Sequence, residues 1–159
     1  MNFRIGFGFD VHELREGLDF FLGGVNIEHE KGAYAHSDGD VLIHAICDAL
    51  LGAANLGDIG KHFPDTDSKY KDMDSKILLK EVVLLIHNKG YEVCNIDSTI
   101  CLQKPKVAPF IPKIQEILSK CMGIKKDLIS VKATTNERLG FIGREEGVSA
   151  YATVLINQK

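Results

Sequence analysis

The residues best suited to chemistry near the start of the chain are Asp10 and His12, which lie two positions apart. On an extended backbone, side chains at i and i+2 leave the same face, so this pair could bind one metal ion. It could equally be a surface pair or part of a turn. His44 follows in an apolar segment, where it is either a core histidine or a third ligand. One carboxylate and two imidazoles, with a fourth position open, would suit a catalytic zinc ion.

A polar segment, residues 36–40, precedes His44 and contains three further candidates. His36 is either a surface residue or part of a site. Asp38 is predicted as the N-cap of the helix that carries His44. Asp40 lies one helical turn before His44 and could orient the imidazole by a hydrogen bond.

Two loops carry groups that could recognise a ligand. Residues 56–67 include Asp58, Asp65 and Asp67, which form either a solvated turn or a site that holds the hydroxyl groups of a polyol. Residues 104–106 read Lys-Pro-Lys, which is either a charged turn or a segment whose backbone groups contact a base.

The segment 132–141 covers the end of a predicted strand and the residues after it, and it is suited to phosphate oxygens because it combines hydroxyls, amides and cations. Glu137 would repel a bare phosphate but suits a divalent metal that bridges two phosphates. No Walker A motif, GxGxxG motif or Ser-His-Asp signature is present in the sequence. Gly6 and Gly8 lead into Asp10 rather than into a helix, which excludes a dinucleotide-binding turn.

The composition is that of an ordinary globular protein: 159 residues, 45% hydrophobic and 26% charged. A net charge of −3 disfavours broad nucleic-acid binding, and no apolar run is long enough to span a membrane. The chain enters a strand-like pattern without a signal-peptide layout, so a cytoplasmic location is expected. The four cysteines form no CxxC pair and are expected to be reduced thiols.

Hydrophobic periodicity predicts the elements that must position these residues. We expect an α/β (α+β) fold of one domain, residues 1–159, with a mixed four-stranded sheet, a small hairpin, and helices packed on one face. Gly32 to Gly39 reads as a loop, as does Leu56 to Tyr70. The predicted strands are 5–10, 91–102, 128–135 and 148–156, the hairpin is 20–27, and the helices are 38–51, 72–88 and 110–121.

Five motifs in order make the sequence similar to one known family. They are Gly8-Phe9-Asp10-Val11-His12; His36-Ser37-Asp38-Gly39-Asp40; Asp48-Ala49-Leu50-Leu51-Gly52-Ala53; Gly57-Asp58-Ile59-Gly60 with Phe63-Pro64-Asp65-Thr66-Asp67; and Lys132-Ala133-Thr134-Thr135 with Leu139-Gly140-Phe141. Over essentially its whole length the chain resembles the 2-C-methyl-D-erythritol 2,4-cyclodiphosphate synthase family of the non-mevalonate isoprenoid pathway.

The resemblance implies a lyase that acts on 4-diphosphocytidyl-2-C-methyl-D-erythritol 2-phosphate. The 2-phosphate attacks the β-phosphorus of the diphosphate, CMP leaves, and a cyclic diphosphate forms. The resemblance also implies a homotrimer whose active sites lie at the subunit interfaces. One Zn²⁺ per subunit and a Mg²⁺ or Mn²⁺ ion on the substrate diphosphate are expected as cofactors, with no nucleic-acid or membrane partner.

The same resemblance assigns expected roles by position. Zinc would be bound by Asp10, His12 and His44, and the second divalent ion by Glu137. The expected catalytic residues are His36 and Thr135. The expected substrate-binding residues are Asp10, His12, His36, Ser37, Asp58, Gly60, Phe63, Asp65, Asp67, Leu102, Lys106, Ala108, Thr134, Thr135, Glu137, Phe141 and Arg144.

Two other functions compete with this hypothesis. A metal-dependent phosphohydrolase could use the same Asp/His/His site, but it would release inorganic phosphate rather than CMP. A non-catalytic trimeric binding module could hold a structural metal. The open coordination position and the threonines at 134 and 135 argue against that second alternative.

Overall fold

The computed structural model describes residues 2–64, 66, 70 and 73–159, and these form an α+β fold. The strands are β1 (Phe3–Glu16), β2 (Phe21–Leu22), β3 (Val25–Asn26), β4 (Lys31–Tyr34), β5 (Tyr91–Cys101), β6 (Ile129–Thr134) and β7 (Gly147–Gln158). Five of them form the main sheet in the order β4-β1-β7-β5-β6, and all neighbours are antiparallel except the parallel pair β5 and β6. The predicted hairpin is confirmed, since β2 pairs with β3 across two glycines.

The prediction of a four-stranded sheet was wrong, because part of the expected loop 32–39 is strand β4. This edge strand pairs with the last residues of β1, from Glu13 opposite Tyr34 to Glu16 opposite Lys31. Gly32, which weakens any strand signal, is required there by packing. A Cβ atom on Gly32 would lie 2.1 Å from the carbonyl oxygen of Asp19.

Five α-helices are described, and two short 3₁₀ turns lie at 108–110 and 126–128. The first helix begins after Asp40, whose side chain accepts a hydrogen bond from the Ile43 amide, so Asp40 and not Asp38 is the N-cap. Asp74 caps the third helix, which begins later than predicted. The helices are α1 (Val41–Ala53), α2 (Ile59–His62), α3 (Ser75–Asn88), α4 (Ile111–Met122) and α5 (Gly140–Gly143).

The core lies between α1 and one face of the sheet. Most of α1 is buried, and it packs against β1 and β7. Gly6 and Gly8 of β1 face this helix, whereas Ile5 and Phe7 on the opposite face are 73% and 64% exposed. Within the described ranges, no helix is long and apolar enough to cross a membrane.

Candidate active site

Three side chains from two elements meet at one point. Asp10 and His12 project from β1 on the side that faces α1, and His44 projects from α1 toward them. Asp10 Oδ2 lies 3.0 Å from His12 Nε2 and 3.0 Å from His44 Nδ1, and the two imidazole nitrogens are 3.1 Å apart. The predicted convergence of these three residues is confirmed.

The three donors form a strongly interacting electrostatic group. Burial opposes ionisation of Asp10, but hydrogen bonds with His12 and His44 outweigh it and lower the pKa of Asp10 from 3.8 to about 2. Burial alone would lower the pKa of His44, yet its hydrogen bond to Asp10 raises that pKa above the ordinary value of 6.5. The carboxylate therefore stays ionised at neutral pH and is available as a metal ligand.

The geometry fits a zinc ion held by these three residues. In a tetrahedral zinc site with metal–donor distances of about 2.0–2.1 Å, neighbouring donors lie about 3.3 Å apart. The observed separations of 3.0–3.1 Å need only a small expansion. One carboxylate and two imidazoles are also the donor types of catalytic zinc sites. The arrangement is a candidate metal site with room for a further ligand.

The other nitrogen of His44 faces away from this point. Its Nε2 atom is 3.0 Å from Ser75 Oγ and 3.2 Å from Ser37 Oγ. The predicted hydrogen bond between Asp40 and the His44 ring was wrong. Asp40 is fully buried, and its carboxylate instead accepts hydrogen bonds from the amides of Gly23, Gly24 and Ile43, so it joins the hairpin to the start of α1.

The donors open into a cavity of about 300 Å³, called here the first cavity. Of the predicted substrate contacts, His36, Ser37 and Phe63 line it, so the structure brings them together with the metal donors. His36 is exposed, which leaves its imidazole accessible from the cavity. The first cavity is lined by Asp10, His12, Ala35, His36, Ser37, His44, Asp48, Ile59, Phe63, Tyr70 and Leu78.

The short helix α2 lies at one wall of the first cavity. Asp58 is its N-cap and accepts a hydrogen bond from the Lys61 amide at 3.0 Å. Both Asp58 and Gly60 are exposed, next to the lining residue Ile59. Two other predicted substrate residues, Asp65 and Asp67, lie outside the described residues.

A second cavity, of about 160 Å³, opens where β5 and β6 end side by side. It includes five predicted substrate residues, and in the part of the chain that the structure describes its lining shares no residue with that of the first cavity. Its lining is Leu102, Gln103, Pro105, Lys106, Val107, Ala108, Ala133, Thr134 and Thr135.

Three further predicted residues lie outside both cavities. Glu137 has a positive φ of 51° and accepts a hydrogen bond from Thr135 Oγ1 at 3.2 Å, which places its carboxylate beside the second cavity. Phe141 is 43% exposed, and Arg144 is exposed in an ion pair with Glu146. Phe141 and Arg144 therefore face the outside of the single chain.

Asp48 is a cavity residue to which the sequence had assigned no role. It lies one helical turn after His44, and its Oδ1 accepts a hydrogen bond from the Ile59 amide at 2.8 Å, which joins α1 to α2. Burial raises the pKa of Asp48, and the neighbouring charge of Asp58 adds to that effect. The i, i+4 spacing from His44 was the signal that could have revealed it.

An α+β fold that places three potential metal donors at the wall of an open cavity is an arrangement suited to a metal-dependent enzyme. The sequence model of the YgbB family matches residues 3–157. A curated relative from Bacteroides fragilis, named 2-C-methyl-D-erythritol 2,4-cyclodiphosphate synthase, is 63% identical over 158 residues and covers 99% of each chain. The chain therefore belongs to the YgbB family, and the resemblance found in its sequence is confirmed.

Solved structures agree with this assignment. The bifunctional IspDF of Campylobacter jejuni superposes with a TM-score of 0.96 at 44% identity; the match covers 99% of this chain, which spans 43% of that longer protein. IspF of Plasmodium falciparum, solved as a CDP complex, has a TM-score of 0.88 at 35% identity and covers 99% of this chain and 97% of that chain.

Proposed function

We propose that this protein is a lyase that converts 4-diphosphocytidyl-2-C-methyl-D-erythritol 2-phosphate into 2-C-methyl-D-erythritol 2,4-cyclodiphosphate and CMP. The observation that carries the proposal is the Asp10, His12 and His44 group at the first cavity, in a chain 63% identical to a curated synthase. An oxygen of the 2-phosphate attacks the β-phosphorus. The bond from that phosphorus to the bridging oxygen breaks, and CMP leaves with the bridging oxygen.

This reaction needs no nucleophile from the protein, because the substrate supplies it. The protein must bring two anionic phosphate groups together and stabilise the charge that spreads over them. Holding both ends of the substrate makes the attack intramolecular, and orientation of this kind can contribute about 7–11 kcal/mol. A site divided between two cavities suits that task.

The first cavity would supply the Lewis acid of the reaction. Asp10, His12 and His44 would hold a zinc ion, which when bound would polarise a phosphate oxygen. His36 and Ser37 line the same wall and would donate hydrogen bonds to the transferred phosphate. The methylerythritol part of the substrate would be held by the residues that the family resemblance implies, which are Asp58, Gly60, Phe63, Asp65 and Asp67.

The second cavity would hold the cytidine and its phosphates. Leu102, Lys106 and Ala108 line it on one side, and the hydroxyls of Thr134 and Thr135 lie at its other side. The relative from Plasmodium falciparum was solved as a CDP complex, which supports the binding of a nucleotide diphosphate by this chain. Glu137 would hold Mg²⁺ or Mn²⁺ against the diphosphate.

A homotrimer would complete the site, because the two cavities of one chain open separately. The apolar sheet face that bears Ile5 and Phe7 is exposed in the single chain and offers a surface for association. In that assembly the second cavity of one subunit would face the first cavity of the next, where Phe141 and Arg144 would also reach substrate. Light scattering should give three times the chain mass of 17.6 kDa; a fully active monomer would contradict the trimer.

The test of the reaction is incubation with the diphosphocytidyl substrate, followed by phosphorus NMR. We expect the cyclic diphosphate and CMP to form in equal molar amounts. Release of inorganic phosphate would instead identify a phosphohydrolase, and no turnover in the presence of zinc and magnesium would identify a binding module. The proposal includes one catalytic domain, residues 1–159, in the cytoplasm.

A further inference from the structure

We propose that Ser75 and Asp38 are positioning residues of the metal centre, which fix the His44 imidazole so that its Nδ1 atom faces Asp10 and His12. The inference rests on the metal site proposed above and adds two residues that lie beyond its ligands. Ser75 is the first residue of α3, and Asp38 lies in the segment before α1.

The three side chains form one continuous chain of hydrogen bonds. His44 Nε2 lies 3.0 Å from Ser75 Oγ, and Ser75 Oγ donates a hydrogen bond to Asp38 Oδ1. The second carboxylate oxygen, Asp38 Oδ2, accepts a hydrogen bond from the Ser75 amide at 2.8 Å. Ser75 is fully buried, so water does not replace these partners.

The donor and acceptor capacities of these groups determine which atom donates in each of these hydrogen bonds. A carboxylate only accepts, so the single hydroxyl proton of Ser75 is directed to Asp38. The Ser75 oxygen must then accept at its other side, and the His44 Nε2 atom must carry a proton. In the neutral imidazole, which is the form that binds a metal, the free lone pair is thereby left on Nδ1, the nitrogen 3.0 Å from Asp10 Oδ2.

Ser37 offers a second oxygen to the same nitrogen, at 3.2 Å, but among the described residues its hydroxyl has no carboxylate partner. Its oxygen also lies 3.4 Å from the Gly39 amide, which donates to it. Ser37 lines the first cavity, where its hydroxyl proton can serve a ligand. Orientation of His44 is therefore assigned to Ser75 and Asp38.

The same contacts join the metal site to α3. Asp38 contacts the helix start through both carboxylate oxygens, and its own amide donates to the Met73 carbonyl at 3.4 Å. Metal affinity should consequently depend on a helix that supplies no ligand. Partners of metal-bound histidines typically change metal affinity by about 10–100-fold when removed.

The test compares Ser75→Ala with Ser98→Ala in the full-length chain. Ser98 is a matched control, because it lies on β5, away from the metal site. Its buried hydroxyl donates a hydrogen bond to the Ser130 carbonyl on β6 at 2.9 Å. Zinc affinity is measured by competition with a chromogenic chelator, and melting temperature is measured in parallel. We expect Ser75→Ala to weaken zinc binding by about 10–100-fold and Ser98→Ala to leave it unchanged.

Two further measurements separate positioning from general destabilisation. In the zinc-loaded protein, nitrogen-15 NMR should show a protected Nε2–H signal of His44 that Ser75→Ala shifts or broadens. Ser75→Thr keeps the hydroxyl and should retain most of the zinc affinity.

The outcomes distinguish this inference from the proposed function. A wild-type chain that binds no zinc would overturn the metal site itself, and this inference with it. A wild-type chain that binds zinc, with a folded Ser75→Ala variant of equal affinity and an unchanged His44 Nε2–H signal, would overturn only the positioning role.

Discussion

Gly8 in β1 lies directly against the carbonyl oxygen of Ala45 in α1: a Cβ atom at Gly8 would be 1.9 Å from that oxygen. The contact is backbone to backbone, so no side-chain rotation could relieve it. Asp10 and His12 follow Gly8 on the strand, and His44 precedes Ala45 on the helix. This close approach therefore determines the distance between the two parts of the metal site.

Gly8→Ala should both destabilise the protein and weaken metal binding, because α1 must move away from β1. Overpacking of this kind costs about 1–3 kcal/mol or more. Gly52→Ala is the control, because Gly52 lies in α1 with open space around an added Cβ. This change should stabilise the protein by about 0.8–1 kcal/mol. Urea unfolding and zinc titration of both variants check this; a Gly8→Ala protein of wild-type stability and affinity would refute it.

His12→Ala should reduce bound zinc from one ion per chain to a small residual amount, because two donors remain of three. Its side chain is 16% exposed and lies at the cavity wall, so the fold should persist. Mass spectrometry of metal content after gel filtration measures the change. His87→Ala, which removes an exposed histidine of α3, is the control and should retain the full zinc content.

The metal-free protein should be most stable between about pH 4 and 6.5. The pKa of Asp10 is lowered from 3.8 to about 2, so the stability from its ionisation is present above 3.8 and is lost as the pH falls toward 2. The pKa of His44 is raised, so the stability from its protonation is present below 6.5 and is lost as the pH rises through the folded-state value.

Thermal melts of the chelated protein across this range measure the effect. In Asp10→Asn, stability should fall less steeply both toward low pH and above pH 6.5, because the shared partner has lost its charge. Zinc should remove the decline above pH 6.5, since a metal-bound imidazole is unprotonated. Equal melting temperatures at pH 5.5 and 8 in the chelated wild type would contradict the prediction.

Thr135→Ala should lower turnover much more than stability. Thr135 is exposed at the second cavity, and among the described residues its hydroxyl forms hydrogen bonds only with Glu137, so its folding contribution is small. Loss of a donor to developing phosphate charge costs about 2.7–4 kcal/mol in the transition state. CMP release and melting temperature are measured for this variant and for Thr134→Ala. Near-full activity, or loss only in proportion to unfolding, would exclude a role for Thr135 in the transition state.

Local periodicity was enough to predict β5, β6, β7, the middle of β1, the hairpin and the shared face of Asp10 and His12. These features depend on residues close in sequence, and an i, i+2 pair on a strand has one geometry. That His44 joins them depends on how α1 packs on β1, which the five family motifs implied and spacing alone did not.

Features that depend on contacts between distant segments were missed. Strand β4 is four residues long and contains Gly32, which leaves it a weak sequence signal. It forms because β1 extends to Glu16 and pairs with it, an extension that the sequence did not predict. The bond from Asp38 to Ser75 joins side chains 37 positions apart. The helix signal of α1 was correct, but the choice between Asp38 and Asp40 as its cap required the position of the hairpin.

The separation of the two cavities has a genetic consequence in the proposed trimer. A chain with His44→Ala keeps its second cavity, and a chain with Thr135→Ala keeps its first. Two inactive variants mixed in equal amounts and reassembled would therefore restore about a quarter of the active sites, because each site draws one cavity from each of two neighbouring subunits. Such complementation between defective alleles would be impossible in a protein whose chains each carried a complete site.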